Sequence, residues 1–99
     1  MTLKVFIQCA ASGDIDEAHA WYETQQKGLG KEFLNEIEAG LTRIADWPEN
    51  YPEVLRDARR APIRRFPYSI YFRVRGTEAR ILAVIHQSRD PRVWQRRLR

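Results

Sequence analysis

The chain holds one cysteine and two histidines, and no lysine follows Lys31. Cys9, being alone, has no partner for an intramolecular disulfide and belongs to no thiolate pattern that would bind a structural metal, so a reducing compartment fits. The N-terminal stretch has no apolar run longer than Val5-Phe6-Ile7. That is too short for the core of a signal peptide and far too short to cross a bilayer. A cytoplasmic protein is expected, with no cofactor, no metal and no membrane partner. Internal repeats and low-complexity segments are also missing, and with 43% hydrophobic and 11% aromatic residues the composition argues against disorder. Residues 1–99 are expected to make one domain, because a chain of this length encloses a single core.

Acids are scarce in the second half. Residues 1–55 set four basic groups, Lys4, Lys27, Lys31 and Arg43, against ten acids, for a net −6. Residues 56–99 set thirteen arginines against Asp57, Glu78 and Asp90, for a net +10. A guanidinium binds phosphate or carboxylate through two parallel hydrogen bonds and stacks on rings, which an ammonium does not do. Scattered charge is ordinarily a solvated face, but a lysine-free half of this kind suits an anionic partner, either an acidic protein or nucleic acid.

Residues 3–9 alternate, with Leu3, Val5, Ile7 and Cys9 on the apolar parity, as in a half-buried strand; Cys9 is then a buried, inert thiol. Ser12-Gly13-Asp14 interrupts the pattern, and Asp14 with Glu17 has the spacing of a helix capping box. Ile15, Ala18, Trp21 and Tyr22 follow at helical spacing until Gly28-Leu29-Gly30. A second helix from about Lys31 places Phe33, Ile37, Leu41 and Ile44 on one stripe and ends near Trp47, before Pro48. Gly40 within it costs about 1 kcal/mol relative to alanine, so a close approach to the first helix is expected there. The short link between the two helices predicts an antiparallel hairpin. Residues 59–66 read as a strand that Pro62 confines to an edge or bulge. Residues 68–75 alternate strictly, with Tyr68, Ile70, Phe72 and Val74 opposite Ser69, Tyr71, Arg73 and Arg75. Gly76-Thr77 suits a tight turn into residues 80–86, whose apolar character on both parities marks a central strand. A basic tail from Arg89 has Val93, Trp94 and Leu98 as anchors; Arg96, Arg97 and Arg99 end the chain, where order is least expected. The sum is a two-layer α+β fold: an N-terminal strand, an antiparallel helical hairpin packed on a mainly antiparallel sheet, and a short basic C-terminal tail.

These elements carry a specific set of residues: Asp14-Ile15, Trp21-Tyr22-Glu23, Gly28-Leu29-Gly30 with Phe33, Trp47-Pro48 and Tyr51-Pro52. Arg64-Arg65-Phe66-Pro67-Tyr68 follows, then His86 with Arg89-Asp90-Pro91 and Trp94. In this order the chain, from about Ala11 to Arg97, resembles the RelE/ParE toxins of bacterial type II toxin–antitoxin modules. The Trp-Tyr-Glu, Arg-Phe-Pro-Tyr and His-x-x-Arg-Asp-Pro groups are closer to the ParE or plasmid-stabilisation branch. The resemblance implies a toxin neutralised by a cognate antitoxin whose flexible acidic segment wraps the basic surface. It also implies one of two targets: DNA gyrase, poisoned without enzymatic activity, or, as in RelE-like members, mRNA cut in the ribosome. A third outcome is a toxin fold that has lost activity and only binds a partner. In the ParE-like branch the C-terminal region matters for toxicity, which makes Trp94, Arg96 and Arg97 the candidate target-binding tail.

Cleavage by the RNA's own 2′-hydroxyl needs a base, an acid and positive charge on the phosphate. Arginine serves only the last need, because it stays charged. His86 with Arg65 and Arg89 is the candidate catalytic set, with Tyr68 or Tyr71 as further proton carriers and His19 expected to be solvent-facing. From its place in the strand, however, the first reading of His86 is a core-capping residue hydrogen-bonded to a neighbour such as Asp90. For anion or antitoxin binding the candidates are Arg59, Arg60, Arg64, Arg65, Tyr71, Arg73, Arg75 and Arg89. Tyr71 either stacks a partner group or, if its face lies under the helices, belongs to the core. RelE-like nucleases also draw on lysine in the sheet, and the strands of the second half are expected to have none, since no lysine follows Lys31.

Overall fold

The computed structural model describes residues 2–98. A five-stranded mixed sheet has the order β1-β5-β4-β3-β2, with β1 Lys4–Ile7, β2 Glu53–Leu55, β3 Ala58–Pro62, β4 Tyr68–Arg75 and β5 Glu78–His86. Only the β1–β5 pair is parallel. Gly76, at φ 60, and Thr77 close the two-residue turn between β4 and β5, where glycine takes the left-handed geometry without strain. β5 is an interior strand between β1 and β4, buried from Ala79 to Ile85 except at Arg80. The short edge strand β2 carries no alternation and escapes a reading based on periodicity.

Helices α1 (Cys9–Gln25) and α2 (Leu29–Asp46) form the expected hairpin on one sheet face. Ala11, Ile15, Ala18 and Tyr22 of α1 and Phe33, Ile37 and Ile44 of α2 meet Ile70, Phe72, Ile81 and Val84 of the sheet. Phe33 is fully buried, and its ring meets those of Tyr22, Phe66 and Tyr68 at centroid distances of 5.2–5.4 Å. Glu23 holds the link between the helices, accepting from the N–H of Gly28 (3.0 Å) and of Gly30 (3.0 Å). Those backbone donors, Gly28 first, hold its carboxyl below the usual range.

The close approach between the helices falls at Gly30, not at Gly40. A Cβ at Gly30 would lie 2.8 Å from the His19 carbonyl oxygen, a backbone atom that cannot swing aside. At Gly40 the nearest neighbours are side-chain methyls of the sheet residues Ile70 (3.0 Å) and Ile63 (3.3 Å). Gly30→Ala is therefore expected to cost about 1–3 kcal/mol through overpacking. Gly40→Ala should cost less, because helix propensity returns about 1 kcal/mol. Urea titration of the two variants checks the order, and equal costs would refute it.

The N-terminal reading needs two corrections. α1 begins at Cys9, so Cys9 is exposed on its first turn and is not a buried strand residue. Ser12-Gly13-Asp14 lies inside the helix, because the Asp14 carboxylate is drawn to partners far along the chain instead of to a local cap. No side chain caps this helix.

β5 also breaks its own parity. Phe72 pairs with Ile81 and Tyr71 with Ala83, leaving Leu82 as an extra residue in a bulge. Leu82 therefore faces away from the helical hairpin, whereas Val84 faces it. The opposite sheet face is covered by the tail, which adds a short third layer to the two expected. α3 (Arg92–Gln95) and the 3-10 turn Arg96–Leu98 bring Trp94 and Leu98 onto Tyr71, Leu82, Ala83 and Ile85. Trp94 stacks on Tyr71 with centroids 4.4 Å apart.

Candidate functional site

A cleft of about 520 Å³ opens where α1 crosses the end of β5. Trp21, Tyr22 and Ala18 of α1, Tyr68 and Pro67 before and at the start of β4, and Val84 of β5 form its apolar wall. Asp14, Glu17, His86 and Arg89 supply the polar groups. This composition, largely apolar with a few polar groups, is that of a binding cleft. Trp21, in the cleft wall, is 55% exposed.

Asp14 is already engaged. Arg97 donates to both of its oxygens, at 2.5 and 3.1 Å, and Val84 donates its N–H at 2.9 Å. The reason lies in the sheet. β1 pairs with β5 only as far as Ile81, so the later backbone groups of β5 have no strand beside them on that edge. Arg97 donates to the Leu82 carbonyl and Asp14 accepts from Val84, and two side chains thus finish the edge that β1 leaves open.

His86 lines the cleft with Arg89 three residues on. Its partner is Ser88, not Asp90: Nδ1 accepts from the Ser88 N–H at 3.0 Å and lies 2.8 Å from the Ser88 hydroxyl. Asp90 instead binds Arg92, whose guanidinium holds its carboxyl below the usual range. The Ser88 N–H and hydroxyl thus hold the orientation of the imidazole at the cleft. Tyr68 packs on His86 with centroids 5.2 Å apart, and burial raises its hydroxyl pKa.

The remaining candidates divide sharply. Arg65, in the left-handed region at φ 69, binds Glu32 of α2 at 2.7 Å and lies outside the cleft lining, so the set His86, Arg65 and Arg89 is not assembled. Arg59 donates to the Tyr51 carbonyl at 2.5 Å and to Glu53, bracing β2 against β3. Arg73 pairs with Asp57 at 2.9 Å, and Arg75 pairs with it as well; Arg75 first, then Arg73, holds that carboxyl below its usual range. Tyr71 lies beneath Trp94 and is core, though under the tail and not under the hairpin. Arg97 is tied to the body, contrary to the loose terminus expected, and Arg99 lies outside the described residues. His19 is half-buried against Gly30. Arg60, Arg64, Arg89 and Arg96 are exposed and make no side-chain ion pair among the described residues. No group of three or more His, Cys, Asp or Glu side chains is placed to hold a metal among the described residues. No helix among them is long and apolar enough to cross a membrane.

Residues 5–91 match the family described as the ParE toxin of the type II toxin–antitoxin system parDE. The chain belongs to the ParE toxin family. Two solved structures share the fold. One is a chain of the chromosomal ParDE toxin–antitoxin system from P. aeruginosa, with a TM-score of 0.76 and 19% identity over 86% of this chain and 96% of that one. The other belongs to the RelBE2 toxin–antitoxin complex from Mycobacterium tuberculosis, with a TM-score of 0.63 and 18% identity over 87% of this chain and 99% of that one. No curated protein matches the chain. Within this ParE-family fold, reasoning from sequence missed the roles of Asp14, Glu17 and Trp21 as cleft residues. The spacing of Asp14, Glu17, Trp21 and Tyr22 along α1 was visible, but it looked like capping and core packing.

Proposed function

We propose that this chain is the toxin of a type II toxin–antitoxin module and that it acts in the cytoplasm by binding DNA gyrase, without proton-transfer chemistry. Membership of the ParE family over residues 5–91 carries the reading. The pairing of Arg65 with Glu32, outside the cleft lining, adds to it, since it leaves the candidate catalytic set incomplete. A cognate antitoxin holds the toxin until it is removed: its flexible acidic segment pairs with the free guanidiniums of Arg60, Arg64 and Arg89, and an apolar side chain fills the cleft beside Trp21. Such a contact weakens with salt as its charged rim is screened.

Purified protein incubated with gyrase, ATP and supercoiled plasmid should accumulate protein-linked DNA breaks. His86→Ala should leave both breaks and growth arrest near normal. The second reading, a ribosome-dependent mRNA endonuclease, is favoured by one observation: His86, Tyr68 and Arg89 share a single cleft. It takes over if no breaks form with protein that still arrests growth, and if His86→Ala then abolishes both arrest and mRNA cutting while the variant remains folded.

A further inference from the structure

Between the β2–β3 turn and the tail, a recess of about 350 Å³ is lined by Leu55, Arg56, Arg92, Gln95 and Arg96. Its guanidiniums come from two separate segments. Arg56 sits in the turn between β2 and β3, with its backbone in the left-handed region at φ 53. Arg92 and Arg96 lie four residues apart, at the start and the C-cap of α3, and so share a helix face. Like charges at that spacing repel, and Arg56 brings a third to the same hollow. Asp90 satisfies Arg92, at 2.6 and 2.9 Å. Arg56 and Arg96 have no acid partner among the described residues. The fold thus holds two unpaired forks and a neutral donor, Gln95, around one space.

The geometry points to a phosphate-binding site, formed by Arg56, Arg96 and Gln95, that takes the sugar–phosphate backbone of duplex DNA. An acidic peptide is the poorer occupant: the lining offers one apolar side chain, Leu55, and peptide contacts that fold on binding need apolar anchors for their lifetime. A phosphate chain needs only the forks. Single-stranded nucleic acid is also a poorer occupant, because no aromatic lines the recess and unpaired bases are held by stacking. Arg60 pairs opposite Tyr71 in the sheet register, which puts it on the sheet face that the tail covers. It is exposed there and extends the positive surface.

Binding of DNA is separate from inhibition of gyrase, and each can fail alone. A labelled 20-bp duplex is titrated with the full chain at several salt concentrations, read by fluorescence anisotropy. Wild-type protein should bind in the micromolar range at low salt, with a log–log salt slope of roughly −2 to −3 for two or three phosphate contacts. Arg56→Gln/Arg96→Gln, both at exposed positions, should bind roughly tenfold more weakly and lose about two units of that slope. Lys27→Gln/Lys31→Gln removes the same charge at the far end of the hairpin and should bind like wild type. The assignment is overturned by equal losses in the two variants, by no binding of wild type at low salt, by tighter binding of single strands, or by poly-glutamate displacing duplex at equal charge. Since the plasmid assay with gyrase reads breaks and this titration reads affinity without gyrase, failure of one does not decide the other.

Discussion

Asp14→Ala should lower the unfolding free energy by about 2–4 kcal/mol, because it takes the acceptor from one backbone donor and the charge partner from one guanidinium. The Val84 N–H loses its Asp14 acceptor on a strand edge that β1 does not reach. Arg97 is left with the Leu82 carbonyl alone. The pair is largely covered, with side chains 15% and 23% exposed, so solvent screens it less than a surface bridge. For a chain of this length the loss corresponds to a fall in melting temperature of roughly 10–25 °C. Asp14→Asn keeps an acceptor for Val84 but not the charge, and should cost about half as much. Combined with Arg97→Ala, a double-mutant cycle should return a coupling of about 1–3 kcal/mol. If Asp14→Ala melts within a degree or two of wild type, the side-chain completion of β5 is not a stabilising feature. Because Asp14 also lines the cleft, growth arrest by the Asn variant should be compared only at temperatures where it is folded.

Trp94→Ala is expected to cost about 3–5 kcal/mol, the range for removing a large buried aromatic. The ring is 4% exposed and stacks on Tyr71, and it is the largest side chain between the tail and the sheet. Without it, Tyr71, Leu82 and Ile85 lose their cover on one face of the central strands. Fluorescence offers a direct readout. Trp21 and Trp47 are 55% and 63% exposed, so the blue-shifted part of the native emission belongs to Trp94. The variant should emit as though already solvated and change little on unfolding. Trp94→Phe should recover most of the stability. A loss under about 1 kcal/mol in Trp94→Ala would mean that the tail lies on the sheet without holding it. Since the tail that Trp94 anchors also carries Arg96, the alanine variant should lose duplex affinity along with stability.

What was readable in advance follows from periodicity and from turn chemistry. The stripe Phe33, Ile37, Ile44 specifies α2 because its partners lie along one helix face whatever they pack against. Gly76-Thr77 specifies the β4–β5 hairpin because the turn is local. The family-bearing residues of α1, the Arg64–Tyr68 loop and the His86–Pro91 turn were legible for the same reason. The bulge at Leu82 was not, because β5 is apolar on both parities and a one-residue insertion leaves no trace in such a run. Cys9 and Asp14 were misread together: an alternating start and a cap-like triplet are weak local signals, and contacts far along the chain override them.

The sequence by itself determined that this is a basic α+β toxin fold of the RelE/ParE type, with one helical hairpin, a central apolar strand and a C-terminal half dominated by arginine. Only the tertiary structure decided which arginines remain free. Guanidiniums look alike along a sequence, but Arg59, Arg65, Arg73, Arg75 and Arg97 meet acids or carbonyls brought to them by other elements. Arg56, Arg60, Arg64, Arg89 and Arg96 meet none among the described residues. Charge is a property of composition, whereas its neutralisation depends on distances of a few ångströms between residues that are, for Arg97 and Asp14, 83 positions apart.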